Sequence, residues 1–213
     1  MKNIILIGSG SDISKSLLKE KKFNFICASS KESNFNILDP STYPKLKNID
    51  GLVYFPGTVN LRPFSNYREQ DFKKDYEVNV LGLINVLKHY QLLFNQDSSI
   101  VTISSIAANF GMPFHASISF CKASVEALTR FLAAVWAPKI RLNCIAPSLV
   151  ETKMTERLTN TELKKETIKN KHPLKKIGDT SDISNMISFL LSEKSKWITG
   201  QTIRIDGGMS IIR

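Results

Sequence analysis

The chain has 213 residues, 42% of them hydrophobic, which suits one well-buried core over residues 1–213 and is short for two domains. No apolar run reaches the roughly 18 residues that span a bilayer, and the opening MKNIILIGSGSD meets Gly and Asp before a signal-peptide apolar region forms. The expected protein is therefore cytoplasmic, with no membrane partner. Cys27, Cys121 and Cys144 are odd in number, far apart and without C-x-x-C spacing, which argues against a disulfide framework or a zinc site, and no metal is expected.

A formal charge of +10 raises the question of an anionic partner. The densest basic run, Lys164–Lys176, is broken by Glu166 and Pro173 and lacks interleaved aromatics, so it reads as a solvated helix and no nucleic-acid partner is expected.

Strand-length apolar runs alternate with segments of helical period, which predicts repeated βα units around a doubly wound parallel sheet. The first strand is IILIG (4–8). The loop after it, Gly8-Ser9-Gly10-Ser11-Asp12-Ile13-Ser14, is either a cradle for a pyrophosphate or an ordinary capped helix start. A good glycine fingerprint has Gly where Asp12 and Ser14 stand, and Asp12 either repels a phosphate or caps the helix. FNFICA (23–28) is the second strand, and Ala28-Ser29-Ser30-Lys31 after it offers no carboxylate to a ribose 2′-hydroxyl, which favours NADP over NAD if a dinucleotide binds. A short strand is expected at Phe35 to Leu38.

Further strands are GLVYF (51–55), SIVTIS (99–104), IRLNCIA (140–146) and QTIRI (201–205). Apolar positions recurring at three- and four-residue steps predict helices over 78–94 and 124–136. In this architecture ligands bind where the carboxyl ends of the strands meet a topological switch point, so the loops after the strands carry the chemistry.

The ordered motifs SIVTISS, CKASVEALTRFLAAVWAPKIRLNCIAPSLVETKM and WITGQTIRIDGGMS resemble the short-chain dehydrogenase/reductase family over essentially the whole chain. That resemblance implies a Rossmann-type fold in three layers, a single dinucleotide-binding domain, and a site built from Asn, Ser, Tyr and Lys. Carried over residue by residue, Asn79, Ser105 and Lys122 match; the family's tyrosine falls on Ile118, which can neither donate nor accept a proton. His115 and Ser117 are the nearby candidates for a substitute donor. Gly8, Ser9, Gly10, Ser11, Asp12, Ile13, Ser29, Ser30, Lys31, Pro56, Gly57, Asn79, Lys122, Pro147, Val150 and Thr152 are the expected cofactor contacts.

Two departures stand out. Tyr54-Phe55-Pro56-Gly57 replaces the usual Asn-Asn-Ala-Gly, and Pro147-Ser148 the usual Pro-Gly. The expected activity is an NADP-dependent oxidoreduction of a carbonyl or hydroxyl group, with NAD as the other cofactor and a catalytically inactive binding, sensing or partner protein as the alternative. Residues 155–173 correspond to the family's substrate-covering lid, whose lysines suggest an anionic or carrier-linked substrate. Relatives of this kind pair long helices about two-fold axes, which implies a homodimer or homotetramer.

Overall fold

The computed structural model describes residues 1–31 and 34–212. Six strands, β1 (Lys2–Ile7), β2 (Phe23–Ala28), β3 (Ile49–Tyr54), β4 (Phe94–Ile103), β5 (Ile140–Pro147) and β6 (Thr202–Ile205), form one sheet in the order β2-β1-β3-β4-β5-β6, with every neighbouring pair parallel. A parallel sheet must be covered on both faces, and β1 meets that demand with the unbroken apolar run Ile4–Ile7. Along β1, Ile5 and Ile7 enter one core and Ile4 and Leu6 the other, because successive side chains alternate across the sheet.

The first core is closed by α3 (Gly82–Tyr90) and α4 (Ala116–Trp136), which contribute Leu83, Val86, Leu87, Tyr90, Val125 and Ala133. The second is closed by α1 (Asp12–Leu17) and α7 (Thr180–Leu191), through Leu17, Ile183, Ile187, Leu190 and Leu191. The start of α7 is fixed by a capping box in which the side chains of Asp179 and Asp182 satisfy each other's backbone amides. The expected three-layer, doubly wound α/β fold is thus present. Its switch point lies between β1 and β3, where the crossovers change side.

Two expectations need correction. Phe35 to Leu38 is not a strand. The Asn36 side chain accepts from the Leu38 amide and its carbonyl from the Asp39 amide, while the Tyr43 hydroxyl donates to the Ile37 carbonyl, so a turn consumes the groups a ladder would need. Phe35 still buries, against Tyr43. The helices expected at 78–94 and 124–136 both begin earlier. The first starts as α2 (Glu69–Tyr76), passes through a π turn at Glu77–Leu81 and resumes as α3, with Phe94 already in β4. The second begins at Ala116, since the small polar residues of its first turn mask the apolar period.

Candidate active site

The loop after β1 folds over the end of β2. Both Gly8 and Ser9 donate their amides to the Ala28 carbonyl, at 2.8 and 3.3 Å. Gly8 sits at φ 79°, and a Cβ there would fall 3.0 Å from Cδ of Pro56, so glycine is required for both reasons. A Cβ on Gly10 would stand 3.0 Å from the Ser29 hydroxyl, which brings the loops after β1, β2 and β3 together. Ser29 is buried, while Ser30 and Lys31 lie on the exposed rim. Ser11 is the N-cap of α1, its hydroxyl accepting from the Ser14 amide at 3.1 Å, so the first-turn amides of Asp12 and Ile13 have no intrahelical acceptor.

Of the two readings of Asp12, the helix cap is overturned, because Ser11 takes that place. The Asp12 carboxylate accepts from the Lys153 amide at 2.7 Å, tying the start of α1 to the loop that follows β5. On that loop Val150 is buried and bridged to Gly178, and the Thr152 hydroxyl is 3.1 Å from that of Thr155. Pro147 is buried at the end of β5, paired with Ile205.

Asn79 and Lys122 meet at Gly57. The π turn is pinned by Tyr54, whose hydroxyl donates to the Val78 carbonyl at 2.7 Å; burial raises its pKa far above the usual phenol range, so it serves as a donor and not as an acid. Within the turn Asn79 is 1% exposed. Its Nδ2 donates to Thr58 Oγ1 at 2.9 Å and to the Asp75 carbonyl at 2.8 Å, while Oδ1 has no partner among the described residues. Lys122 comes from α4, 7% exposed, and its Nζ donates to the Ile103 carbonyl at 2.9 Å. A Cβ on Gly57 would lie 3.2 Å from Lys122 Nζ and 3.3 Å from Asn79 Oδ1. Burial pushes the Lys122 ammonium down to about 8, a shift opposed by the neighbouring Cys144 and Cys121. Those two thiols are themselves pushed up to about 11 by burial and are poor nucleophiles.

Ser105 lies on the loop just past β4. Its Oγ accepts from the Ala107 amide at 3.2 Å, which leaves the hydroxyl proton available. Its neighbour Ser104 points inward and donates to Glu126 at 2.8 Å, and Asn109 donates to the same carboxylate at 2.6 Å. This Ser104-Glu126-Asn109 bracket, buried at Ser104 and Glu126 and reaching the surface at Asn109, escaped the sequence reading, as did Thr58 and Asp75. An Asp four residues before an Asn on one helix was the available signal.

Ile118 is buried. Ser117 is not a substitute donor in the crevice: it is fully buried and gives its proton to Asp75 at 2.6 Å. His115 Nδ1 lies 2.6 Å from the Pro113 carbonyl, which can only accept, so Nδ1 carries the proton and the side chain touches backbone. The ring also lines a cleft of about 440 Å³ with Arg62, Phe64, Phe110, Met112 and Phe114, beside the Ser105 loop.

The expected lid forms two helices, α5 (Glu156–Thr159) and α6 (Glu162–Lys171). Its buried anchor is His172, whose Nε2 is 2.8 Å from the Ser148 hydroxyl. Among the described residues no acidic, His and Cys cluster is arranged to hold a metal ion, and no helix is long and apolar enough to cross a membrane.

A family model described as enoyl-(acyl carrier protein) reductase matches residues 21–210. A 3-oxoacyl-(acyl-carrier-protein) reductase of Thermotoga maritima is 34% identical over 170 residues, 78% of this chain and 68% of that protein. One from Rickettsia felis is 31% identical over 217 residues, 99% of this chain and 87% of that protein. Among solved structures, a short-chain dehydrogenase/reductase from Brucella melitensis superposes with TM-score 0.83 at 25% identity, covering 98% of this chain and 96% of its own. ElxO with NADP bound superposes with TM-score 0.86 at 26% identity, covering 98% and 99%.

Proposed function

The chain belongs to the short-chain dehydrogenase/reductase family, and from that premise we propose that it is a cytoplasmic NADP-dependent reductase of a carbonyl on an anionic or carrier-linked acyl substrate, working without the family's tyrosine. The observation that carries this reading is the convergence of Lys122 Nζ and the unpartnered Asn79 Oδ1 on Gly57, at the mouth of the switch-point crevice. A buried amide oxygen without a donor is costly unless a ligand or water supplies one, so the residues fit a dinucleotide whose ribose hydroxyls approach there. The first-turn amides of α1 suit its diphosphate, and Ser29, Ser30 and Lys31 suit a 2′-phosphate. Pro147, Val150 and Thr152 would frame the nicotinamide.

When bound, the nicotinamide supplies or accepts the hydride. This chain's residues do the rest. Ser105 keeps its hydroxyl proton free to polarise the substrate oxygen, because its lone pair already serves the Ala107 amide. Lys122 holds protons at Nζ beyond the one given to Ile103, and with its pKa near 8 it can release one close to neutral pH. Asn79 orients a hydroxyl or a water between them. The cleft beside His115, walled by Phe64, Phe110 and Phe114 with Arg62 at its edge, suits an apolar chain with an anionic end.

Two copies would pair through α4, whose Phe120, Phe131 and Val135 are exposed at helical spacing. Sedimentation should then show a dimer or tetramer that Phe131→Glu dissociates.

The activity test is a fluorescence titration with NADPH and NADH, followed by assays of 3-oxoacyl thioesters, enoyl thioesters and simple ketones. Binding of NADPH and slow reduction of the oxo substrates are expected. Absence of binding at about 1 mM cofactor would overturn the reading, and faster reduction of enoyl thioesters would move it to a carbon–carbon double bond. The second reading, a binding protein without turnover, is favoured by Ile118 and by the negative charge of Asp12 at the crevice; robust turnover by the wild type eliminates it.

A further inference from the structure

Asp75 is a buried carboxylate to which the proposed chemistry gives no part. It sits at the end of α2, 3% exposed. Three side chains donate to it: Thr58 to Oδ1 at 2.6 Å, and Ser117 and Asn60 to Oδ2 at 2.6 and 3.3 Å. A carboxylate only accepts, so the single hydroxyl proton of Thr58 is committed to Asp75 and Thr58 Oγ1 is left as an acceptor. The Asn79 atom 2.9 Å from that oxygen must then be the amino group. Its second proton goes to the Asp75 main-chain carbonyl, another group that only accepts. Both amide protons are spoken for, and the orientation of the carboxamide follows from the hydrogen-bond network without a free choice.

The geometry points to Asp75 as a positioning residue that acts through Thr58 to hold the Asn79 oxygen toward Lys122 and Gly57, where it accepts a hydroxyl of the bound ligand. The assignment rests on the oxidoreductase reading for what that hydroxyl belongs to, a ribose of the dinucleotide, and on the network alone for the orientation. Asp75 does not touch the ligand. Its effect is to decide whether the crevice presents an acceptor or a donor at this point. With Asn at position 75, an amide could donate to Thr58, the threonine proton could turn to Asn79, and the Asn79 carboxamide would be free to present its amino group to the Lys122 charge instead.

The test uses two measurements on the full chain. In ¹⁵N-edited spectra of the ligand-free protein, the Asn79 side-chain amide protons should exchange slowly in the wild type and rapidly in Thr58→Val, with Thr58→Ser restoring the slow pattern. NADPH affinity, read by fluorescence, should fall about tenfold in Thr58→Val and in Asp75→Asn, the scale of one misdirected hydrogen bond, and recover in Thr58→Ser. If Asp75→Asn does not fold, the two threonine variants decide the matter. Unchanged amide exchange in Thr58→Val overturns the assignment, as does NADPH affinity that ignores both substitutions. Failure of the wild type to bind NADPH while its amide pattern stays intact overturns the cofactor reading and supports the network.

Discussion

Lys122 is the residue at which folding and chemistry make opposite demands. The unfolded chain keeps this lysine protonated to about 10.5, whereas burial lets the folded protein release the proton at about 8. Between those values the unfolded state binds more protons, so raising the pH favours the folded state. The destabilisation is therefore fully present below about 8 and fades as the pH climbs toward 10.5. Relative to Lys122→Met, the wild type should gain stability across that window, at most on the order of 3 kcal/mol, and should show no such trend below it. Urea midpoints of the two proteins through the window check this, and parallel curves would mean that Lys122 titrates as in water. Catalysis should run the other way, since proton donation by Lys122 requires the charged form and would decline above about 8. Ile118 sits one helical turn before Lys122, so Ile118→Tyr would set a phenol beside the ammonium and lower its pKa. Reduction should accelerate about 10²- to 10⁴-fold, the usual worth of a positioned acid, with some stability lost to overpacking at a buried position. Steady-state rates unmoved by the phenol would show that Ile118 does not occupy the donor's place.

At the scale of elements, strands were legible because a parallel sheet buried on both faces draws on runs rich in apolar residues, unbroken in β1 and interrupted by Arg141 and Asn143 in β5, and those runs stand out in the chain. Helix starts were not: α4 opens with Ala116, Ser117 and Ser119, whose size hides the period, and the π turn around Asn79 leaves no mark in composition. Phe35 to Leu38 has the apolar content of a strand but its polar neighbours Asn36, Asp39 and Thr42 fold it into a turn. Asn79, Gly57 and Lys122, which the structure brings together, were reached through the family motifs they match. Thr58 and Asp75 were not, because their roles arise from hydrogen bonds among three separate elements. Asp12 belongs to the same class, since its link to Lys153 joins positions far apart in the sequence. Asp12→Asn keeps an oxygen for that amide and removes the charge facing an incoming diphosphate. NADPH should bind about three- to tenfold more tightly to this variant at low salt, with the gain shrinking as salt screens the repulsion. Equal affinities at low salt would mean that the carboxylate lies outside the diphosphate's field.

For the whole molecule, the charge of +10 matters chiefly through where it is left unneutralised. On and around α5 and α6, Lys165 pairs with Glu151 and Glu162, Lys169 with Glu166, and Lys176 with Asp182. Such exposed pairs contribute roughly 0–1 kcal/mol to stability, so their removal should hardly move the unfolding transition. Lys164, Lys171 and Lys175 project from the same exposed region without a carboxylate partner among the described ion pairs, and give this face a net positive field. An acyl substrate delivered on an acidic carrier would be steered by that field over about one Debye length, roughly 8 Å at physiological salt, whereas a small neutral thioester would not. Reduction of the carrier-linked substrate should accordingly have a kcat/KM that falls steeply with ionic strength, and Lys164→Glu with Lys171→Glu should lower it about tenfold at low salt. The same double variant should leave the rate on the small thioester nearly unchanged, because neither lysine touches Lys122, Asn79 or Ser105. A salt response identical for both substrates would separate the charge of α5 and α6 from substrate capture and return those lysines to the role of a solvated helix face.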